Sequence, residues 1–282
     1  MEPLQYEQRG YLNEDFHLFH LADNQRQEEI AYHYHTFHKV ILLLAGRADY
    51  AIEGGHYHLQ PGDFVLVGRG SIHRPEVAEG DFYDRVILYI APEYLQKLGT
   101  EDLGWCFSHA QQRFHYVYHS SGNDLIRKLL HELECATEEG GFGSDILRRA
   151  IFAQLMVALN RAVAEGQSID AALGDTKIVE VLQYLNTHLT ENLSIDELAA
   201  RFYISKYHLM RRFRSETGYT IHNYITEKRL LLAQQLLEKH TPLWEVAENC
   251  GYQDYSTFSR AYKKQFGYAP SEELRRKNEN FG

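Results

Sequence analysis

The stretch 194-SIDELAARFYISKYHLMRRFRSETG-218 and the stretch 242-PLWEVAENCGYQDYSTFSRAYKKQFG-267 are one pattern written twice. Ala199 answers to Ala247, Leu209 to Phe258, Arg211 to Arg260, Phe213 to Tyr262 and Gly218 to Gly267. The second copy carries one extra residue, and it falls in the short loop between two helical patterns, where chains tolerate insertions. In the first copy Ile195, Leu198, Ala199 and Phe202 recur at three- and four-residue spacing and make one apolar face. Ser205 then stands in N-cap position, where its hydroxyl accepts an orphan backbone N–H. Leu209 and Phe213 give the next helix a buried edge, and Gly218 suits a left-handed C-terminal cap. The second copy repeats this with Leu243, Val246, Ala247 and Cys250, a turn at Gly251, a cap near Asp254, then Phe258, Tyr262 and Gly267. Short helix, tight turn and amphipathic helix make the helix-turn-helix layout that puts its second helix in a DNA major groove.

The opposite faces decide what the pattern is for. The first candidate recognition helix exposes Lys206, Tyr207, His208, Met210, Arg211, Arg212 and Arg214. The second exposes Tyr255, Ser256, Thr257, Ser259, Arg260, Lys263 and Lys264. Arginine near a helix start can fork onto guanine, Ser and Thr suit base edges or phosphates, and Lys suits phosphate. One such hairpin could equally be a helical pair with a solvated basic face. Two in register, each with an arginine on the same turn, point to double-stranded DNA.

Residues 175–277 resemble the DNA-binding domain of AraC/XylS-type transcriptional regulators. The phrases ISKYHLMRRFRSETG, YITEKRLLLAQQLLEKH and VAENCGYQDYSTFSRAYKKQFGYAPSEELR carry the likeness, the last most strongly through its Gly-Tyr, Phe-Ser-Arg, Phe-Gly and Ala-Pro. The resemblance implies two recognition helices in adjacent major grooves, held by a long linker helix within residues 219–240. Tyr224, Leu230, Ala233 and Leu237 of that helix would turn towards both hairpins. It implies that Tyr207, Met210 and Arg211 face bases from the first recognition helix, and Ser256, Thr257 and Arg260 from the second. Lys206, Arg212, Lys263 and Lys264 would touch phosphates, with Ser205 and Tyr255 completing the DNA-binding set at the two helix starts.

At 282 residues the chain is long enough for two domains. The N-terminal MEPLQYEQRGYLNEDF has no apolar run of the secretory kind, and no stretch approaches the length of a membrane span. Cys106, Cys135 and Cys250 are scattered and odd in number, which fits neither a disulfide framework nor a zinc pattern. A cytoplasmic protein is expected. The net charge of −10 argues against nucleic acid only if taken globally. Residues 1–174 carry −11, whereas residues 175–282 carry +1, with basic groups gathered on the recognition helices. Asp196, Glu197, Glu245 and Glu248 fall on the supporting helices, so phosphate contact should be local, modest and salt-sensitive.

Before residue 91 the pattern changes to short apolar runs at 37–44, 50–52, 57–59, 64–67 and 82–90, separated by Ala-Gly, Gly-Gly, Pro-Gly-Asp and Gly-Arg-Gly. That spacing predicts a compact antiparallel barrel or sandwich. In the last run Tyr83, Arg85, Ile87 and Tyr89 would share a face. The stretch YHYHTFHK puts His33, His35 and Lys39 on one face by period two, with His38 on the other. LQPGDFVLVGRGSIHR places His73 after a Pro-Gly-Asp turn. This part resembles a cupin, as do the N-terminal domains of many AraC-type regulators. The cupin metal pattern is His-x-His, three residues, Glu and a distant His. His33, His35 and His73 match, but Lys39 stands where the acid belongs, and an ammonium repels a divalent cation. The three histidines are therefore weak metal candidates, open to an organic-ligand or a purely structural role. His56 and His58 read as solvent-facing hairpin residues.

PEYLQKLG (92–99) is a short helix opened by proline. Residues 100–122 give no clear pattern. Helices are expected over 123–138, with a stripe of Leu125, Leu129, Leu133 and Ala136, and over 144–165, apolar round most of its circumference. Core packing alone could explain the second; the family resemblance adds a dimer interface along Leu147, Ile151, Leu155 and Leu159. Small and polar residues at 166–175 read as a linker.

The expected architecture is α+β: a cupin-like β-barrel (1–100), a helical dimerisation segment (101–165), a linker (166–175) and an all-α double helix-turn-helix domain (176–282). The expected protein is a homodimeric regulator without cofactor. An effector would lie near His33, His35, Lys39, His73, Tyr83, Arg85 and Tyr89. With Lys39 in place of the acid, it would be a small organic anion or polyol bound without metal. RNA polymerase is a partner if the protein activates. A metal-dependent cupin enzyme with a DNA-binding tail, and a regulator controlled by a protein partner, are the rival readings.

Overall fold

The computed structural model describes residues 12–23, 30–77, 82–99, 102–119, 124–166, 168–169, 176–239 and 241–279. They fall into two compact units, 1–174 and 175–282. The N-terminal MEPLQYEQRGY, Asn123, His240 and most of the expected linker lie outside the described residues.

In the first unit β1 (Phe16–Asp23), β2 (His38–Gly46), β3 (Ala48–Ile52), β4 (Gly55–Leu59), β5 (Asp63–Val67), β6 (His73–Glu76) and β7 (Tyr83–Ile90) precede α1 (Pro92–Lys97) and α2 (Trp105–Arg113). Then come β8 (Val117–His119), α3 (Asp124–Glu138), α4 (Ser144–Ala164) and β9 (Ser168–Ile169). The strands make a six-stranded sheet, β1-β7-β2-β5-β8-β9, and a three-stranded sheet, β4-β3-β6, both antiparallel. The five expected runs are all strands. β1, β6, α2, β8 and β9 went unread, and β9 removes Ser168 and Ile169 from the expected linker by adding them to the sheet edge. β8 pairs with β5, so the sheet draws on chain beyond residue 100.

The pleat of the large sheet sorts its two faces. Lys39 lies opposite Tyr89, Ile41 opposite Ile87 and Leu43 opposite Arg85, so these six share the inner face. The alternate residues face the helices: Phe16 of β1 stacks on Phe152 of α4 at 4.3 Å and packs against Tyr94 of α1. Burying Phe152, Leu155, Met156 and Leu159, each fully enclosed, contributes about 1.5–3 kcal/mol per side chain.

That packing corrects two expectations. Leu125 is 48 % exposed, and the buried stripe of α3 runs instead through Ile126, Leu129, Leu130, Leu133 and Ala136. Ile151, Leu155 and Leu159 are 7 %, 0 % and 0 % exposed within a single chain. Their stripe is the unit's own core, so it offers nothing to a symmetry mate; of the four residues named for an interface only Leu147 reaches solvent.

The second unit is helical: α5 (Thr176–Thr187), α6 (Ile195–Arg201), α7 (Lys206–Thr217), α8 (Ile221–Glu238), α9 (Leu243–Asn249), α10 (Tyr255–Phe266) and α11 (Pro270–Glu279). α8 packs against α7 on one hairpin and against α9 and α10 on the other, and it buries Tyr224, Leu230, Ala233 and Leu237. No helix among the described residues is long and apolar enough to cross a membrane.

Candidate functional site

α7 and α10 are started and stopped by the residues the sequence pattern named. Ser205 Oγ accepts the His208 N–H at 3.3 Å, and Asp254 Oδ1 accepts the Thr257 N–H at 2.7 Å. Gly218 and Gly267 end the helices with φ of 73° and 83°. Leu209 and Phe213, and Phe258 and Tyr262, are buried. The turns match bond for bond: Ile204 N–H donates to Ala199 O, and Tyr252 N–H to Ala247 O, both at 3.0 Å. The next residue is the cap Ser205 in one copy and Gln253, then the cap Asp254, in the other, so Gln253 is the insertion.

With the apolar edges buried, the remaining side chains stand in solvent. Ser205, Lys206, Tyr207, Met210, Arg211 and Arg212 are exposed on the first hairpin. Tyr255, Ser256, Thr257, Arg260, Lys263 and Lys264 are exposed on the second. Tyr207, Met210 and Arg211 line one open groove of about 610 Å³ with Arg214, Thr220 and His222. Lys206 pairs with Asp196 at 2.9 Å, which ties the start of α7 back to α6. Arg260 is steadied from its own helix, by Ser256 O at 3.3 Å and Thr257 Oγ1 at 3.4 Å, and Thr257 Oγ1 itself donates to Asp254 at 2.9 Å. Hydrogen bonds from Thr257 hold the Asp254 carboxyl below the usual carboxylate range.

One residue of this unit escaped the sequence reading. Arg229 of α8 donates to Leu189 O at 2.8 Å, Glu191 O at 2.6 Å and Gly251 O at 2.9 Å. It fastens the chain after α5 to the turn of the second hairpin. An arginine inside a long helix gives no sequence signal for such a clamp, because its three acceptors are backbone carbonyls from distant positions.

In the first unit the predicted pocket residues converge. The His33 and His73 backbones pair as an isolated antiparallel bridge just before β2. The rings follow: His33 and His73 centroids are 4.4 Å apart, His35 and His73 4.9 Å, His33 and His35 5.0 Å. All three are buried. Nδ1 of His33 faces Ala31 O and Nδ1 of His73 faces Ser71 O, each at 2.9 Å, so Nδ1 carries the proton in both. Burial, followed by the charge of Lys39, holds the His73 imidazole well below its usual range and therefore neutral.

Lys39 stays inside, 7 % exposed, with Nζ 3.5 Å from the Tyr50 hydroxyl. Arg85 lies over the Tyr83 ring at 4.1 Å and donates to Tyr83 O at 3.0 Å. Tyr89 packs on Phe37 at 4.4 Å and meets His35 at 5.8 Å. Burial pushes the Tyr83 hydroxyl up to about 12 and holds the Tyr50 hydroxyl well above its usual range. Tyr50 is the pocket residue that sequence missed; period two within 48–52 puts it inward, but nothing marks it as polar-site rather than core. His38 does face the other way, stacked on Phe107 at 4.2 Å, where burial lowers it to about 3. His56 is half-buried, and His58 is exposed and paired with Asp49 at 2.6 Å.

An antiparallel sheet unit with a polar interior, followed in the chain by a double helix-turn-helix unit, defines a DNA-binding regulator with a ligand-binding domain. Residues 16–156 match the AraC-like ligand binding domain, and residues 198–276 match a helix-turn-helix domain. The chain belongs to the AraC family of transcriptional regulators. Among its relatives are the probable transcriptional regulator LumQ of Photobacterium leiognathi, 27 % identical over 85 % of this chain and 90 % of that one, and the transcriptional activator RhaS of Citrobacter koseri, 27 % identical over 84 % and 85 %. Among solved structures, the DNA-binding domain of AdpA in complex with a target DNA is 33 % identical over 34 % of this chain and 88 % of that one, with a TM-score of 0.33. ToxT of Vibrio cholerae, solved bound to a naphthalenyl-butenoic acid, is 14 % identical over 93 % and 98 %, with a TM-score of 0.36.

Proposed function

We propose that this AraC-family regulator reads a specific DNA site through both recognition helices and that a small organic effector in the sheet unit controls it. The observation that carries the reading is the paired construction of α7 and α10, each with a buried aromatic edge beneath a basic and polar outer face. Tyr207, Met210 and Arg211 read bases from α7, and Ser256, Thr257 and Arg260 from α10. Lys206, Arg212, Lys263 and Lys264 hold phosphates, and Ser205 and Tyr255 complete the contacts at the helix starts.

The effector lies between the sheets against Lys39, Arg85, Tyr83, Tyr89 and the histidine cluster, which offer cationic and hydroxyl donors beside a flat apolar wall. Such a lining suits a sugar acid or a phenolic acid. It must favour one arrangement of the protein over another, or it regulates nothing. Calorimetry of such acids against the wild type, Lys39→Ala and His73→Ala tests this: binding should be lost in both variants, and unchanged binding in both puts the effector elsewhere.

The protein acts as a homodimer, recruiting RNA polymerase if it activates. The interface lies at the start of α4, where Phe142, Ile146 and Leu147 are 112 %, 75 % and 53 % exposed. In sedimentation Ile146→Asp should give a folded monomer, whereas Leu155→Asp should unfold the unit by burying a charge. A dimer that survives Ile146→Asp would remove this face from the account.

A further inference from the structure

We propose that Arg229 is a positioning residue that sets the separation and angle of the two recognition helices, and with them the spacing of the DNA segments that the protein accepts. The inference rests on the reading that α7 and α10 both engage DNA. Arg229 sits midway along α8, which packs against both hairpins. Its guanidinium divides its donors between two segments of chain. Nε and one terminal nitrogen donate to Leu189 O at 2.8 Å and Glu191 O at 2.6 Å, in the loop that runs from α5 to the Ser194 cap of α6. The other terminal nitrogen donates to Gly251 O at 2.9 Å, in the turn between α9 and α10. The same two segments also meet backbone to backbone, since a Cβ on Gly251 would come within 2.5 Å of Thr190 O.

The loop belongs to the side of the first hairpin. α5 packs on α7, Lys177 of α5 donates to Phe202 O at the end of α6 at 3.1 Å, and Asn186 of α5 donates to the Tyr224 hydroxyl of α8 at 3.0 Å. Arg229 therefore joins the support of α7 to the turn that launches α10. Apolar helix packing fixes which faces meet but tolerates small slides and rotations. A planar fork held by three acceptors from two segments fixes direction as well. That matters to a two-pronged reader, because the second prong adds affinity only where the spacing on the DNA matches the spacing on the protein. Ser205 and Asp254 cap α7 and α10 on their own, so losing Arg229 should leave each hairpin able to read its own segment.

The test measures the affinity of the full chain for four duplexes. They are the selected site, two versions in which one or the other segment is replaced by random sequence, and one with a single base pair inserted between the segments, which turns the far segment by about 35°. The wild type should lose about tenfold or more on each altered duplex. Arg229→Met should lose about tenfold or more on the intact site but no more than about twofold on either single-segment duplex, and the penalty for the inserted base pair should fall to about threefold or less. Arg229→Lys keeps the stem and the charge with one donor atom, so it should show the same pattern in smaller measure, and it decides the matter if Arg229→Met does not fold. Equal losses of a folded variant on intact and single-segment duplexes would make Arg229 a general support and overturn the inference. A loss confined to the segment read by α10, or an undiminished spacing penalty, would overturn it too. Wild-type binding to the intact site no tighter than to one segment would instead sink the two-helix reading, and the inference with it.

Discussion

The two recognition helices are alike inside and unlike outside. Both bury an apolar edge four residues long, both start on a side-chain cap and both stop on a left-handed glycine. Outside, α7 carries Tyr207 and Met210 at 78 % and 46 % exposure beside Arg211, whereas α10 carries a polar chain of contacts from Asp254 through Thr257 to Arg260. The interior is what folding needs, so the repeat keeps it. The surface is free to differ, and on the proposed function the two helices would meet different sequences: α7 with apolar groups suited to thymine methyls, α10 with pre-oriented hydrogen-bonding groups.

The turns sharpen this comparison most. Tyr203 and Gly251 hold the same position, with φ of 53° and 76°. A Cβ at Gly251 would come within 2.5 Å of Thr190 O, so glycine there is required by a close backbone approach as well as by the dihedral. Gly251→Ala should cost about 2–3 kcal/mol in denaturant unfolding, whereas Tyr203→Gly should cost nothing and gain up to about 1 kcal/mol. Equal losses in both would mean that the two turns are not equivalent.

Base reading comes next in size. Arg211→Ala and Arg260→Ala should each cost about 1–3 kcal/mol on the specific site, and each should relax a different base position. Band-shift titrations on the specific site and on random DNA separate that outcome from a loss of phosphate contact, which falls equally on both.

The smallest effect is set by the caps. Asp254 titrates and Ser205 does not. Because the folded carboxyl is held below its ordinary 3.8, its contribution is complete above that value and is lost as pH falls through the depressed folded value. Acid should therefore fray the start of α10 before that of α7, and Asp254→Asn should abolish the difference, as read by amide exchange at Thr257 and His208. Simultaneous fraying in the wild type would contradict the capping account.

The second unit was legible because its signals are local and repeated. Caps, helix-stopping glycines and apolar spacing lie within a few residues of one another, and the second copy checks the first. Arg229 was invisible because its partners are carbonyls brought near only by tertiary structure. In the first unit the strand runs bounded by Gly and Pro were readable, and period two put His33, His35, Lys39, Tyr83, Arg85 and Tyr89 inward as the pleat does. β1 was not, because FHLFHLAD mixes imidazoles into both faces and is strand only by virtue of its full-length pairing with β7. The stripe on α4 was misassigned for a physical reason as well. A helix that is apolar all round can bury any face, and which faces are covered is decided by neighbours distant in sequence, such as Phe16 stacked on Phe152, not by spacing.

The central claim is that both helix-turn-helix copies engage DNA at once, held apart by α8. Footprinting on the selected DNA site tests it most directly. Two protected segments per protomer are expected on one face of the duplex, about 10 base pairs apart, with Arg211→Ala weakening one and Arg260→Ala the other. A single protected groove per protomer, unaffected by Arg260→Ala, would show that the second copy is only a support and would contradict the account.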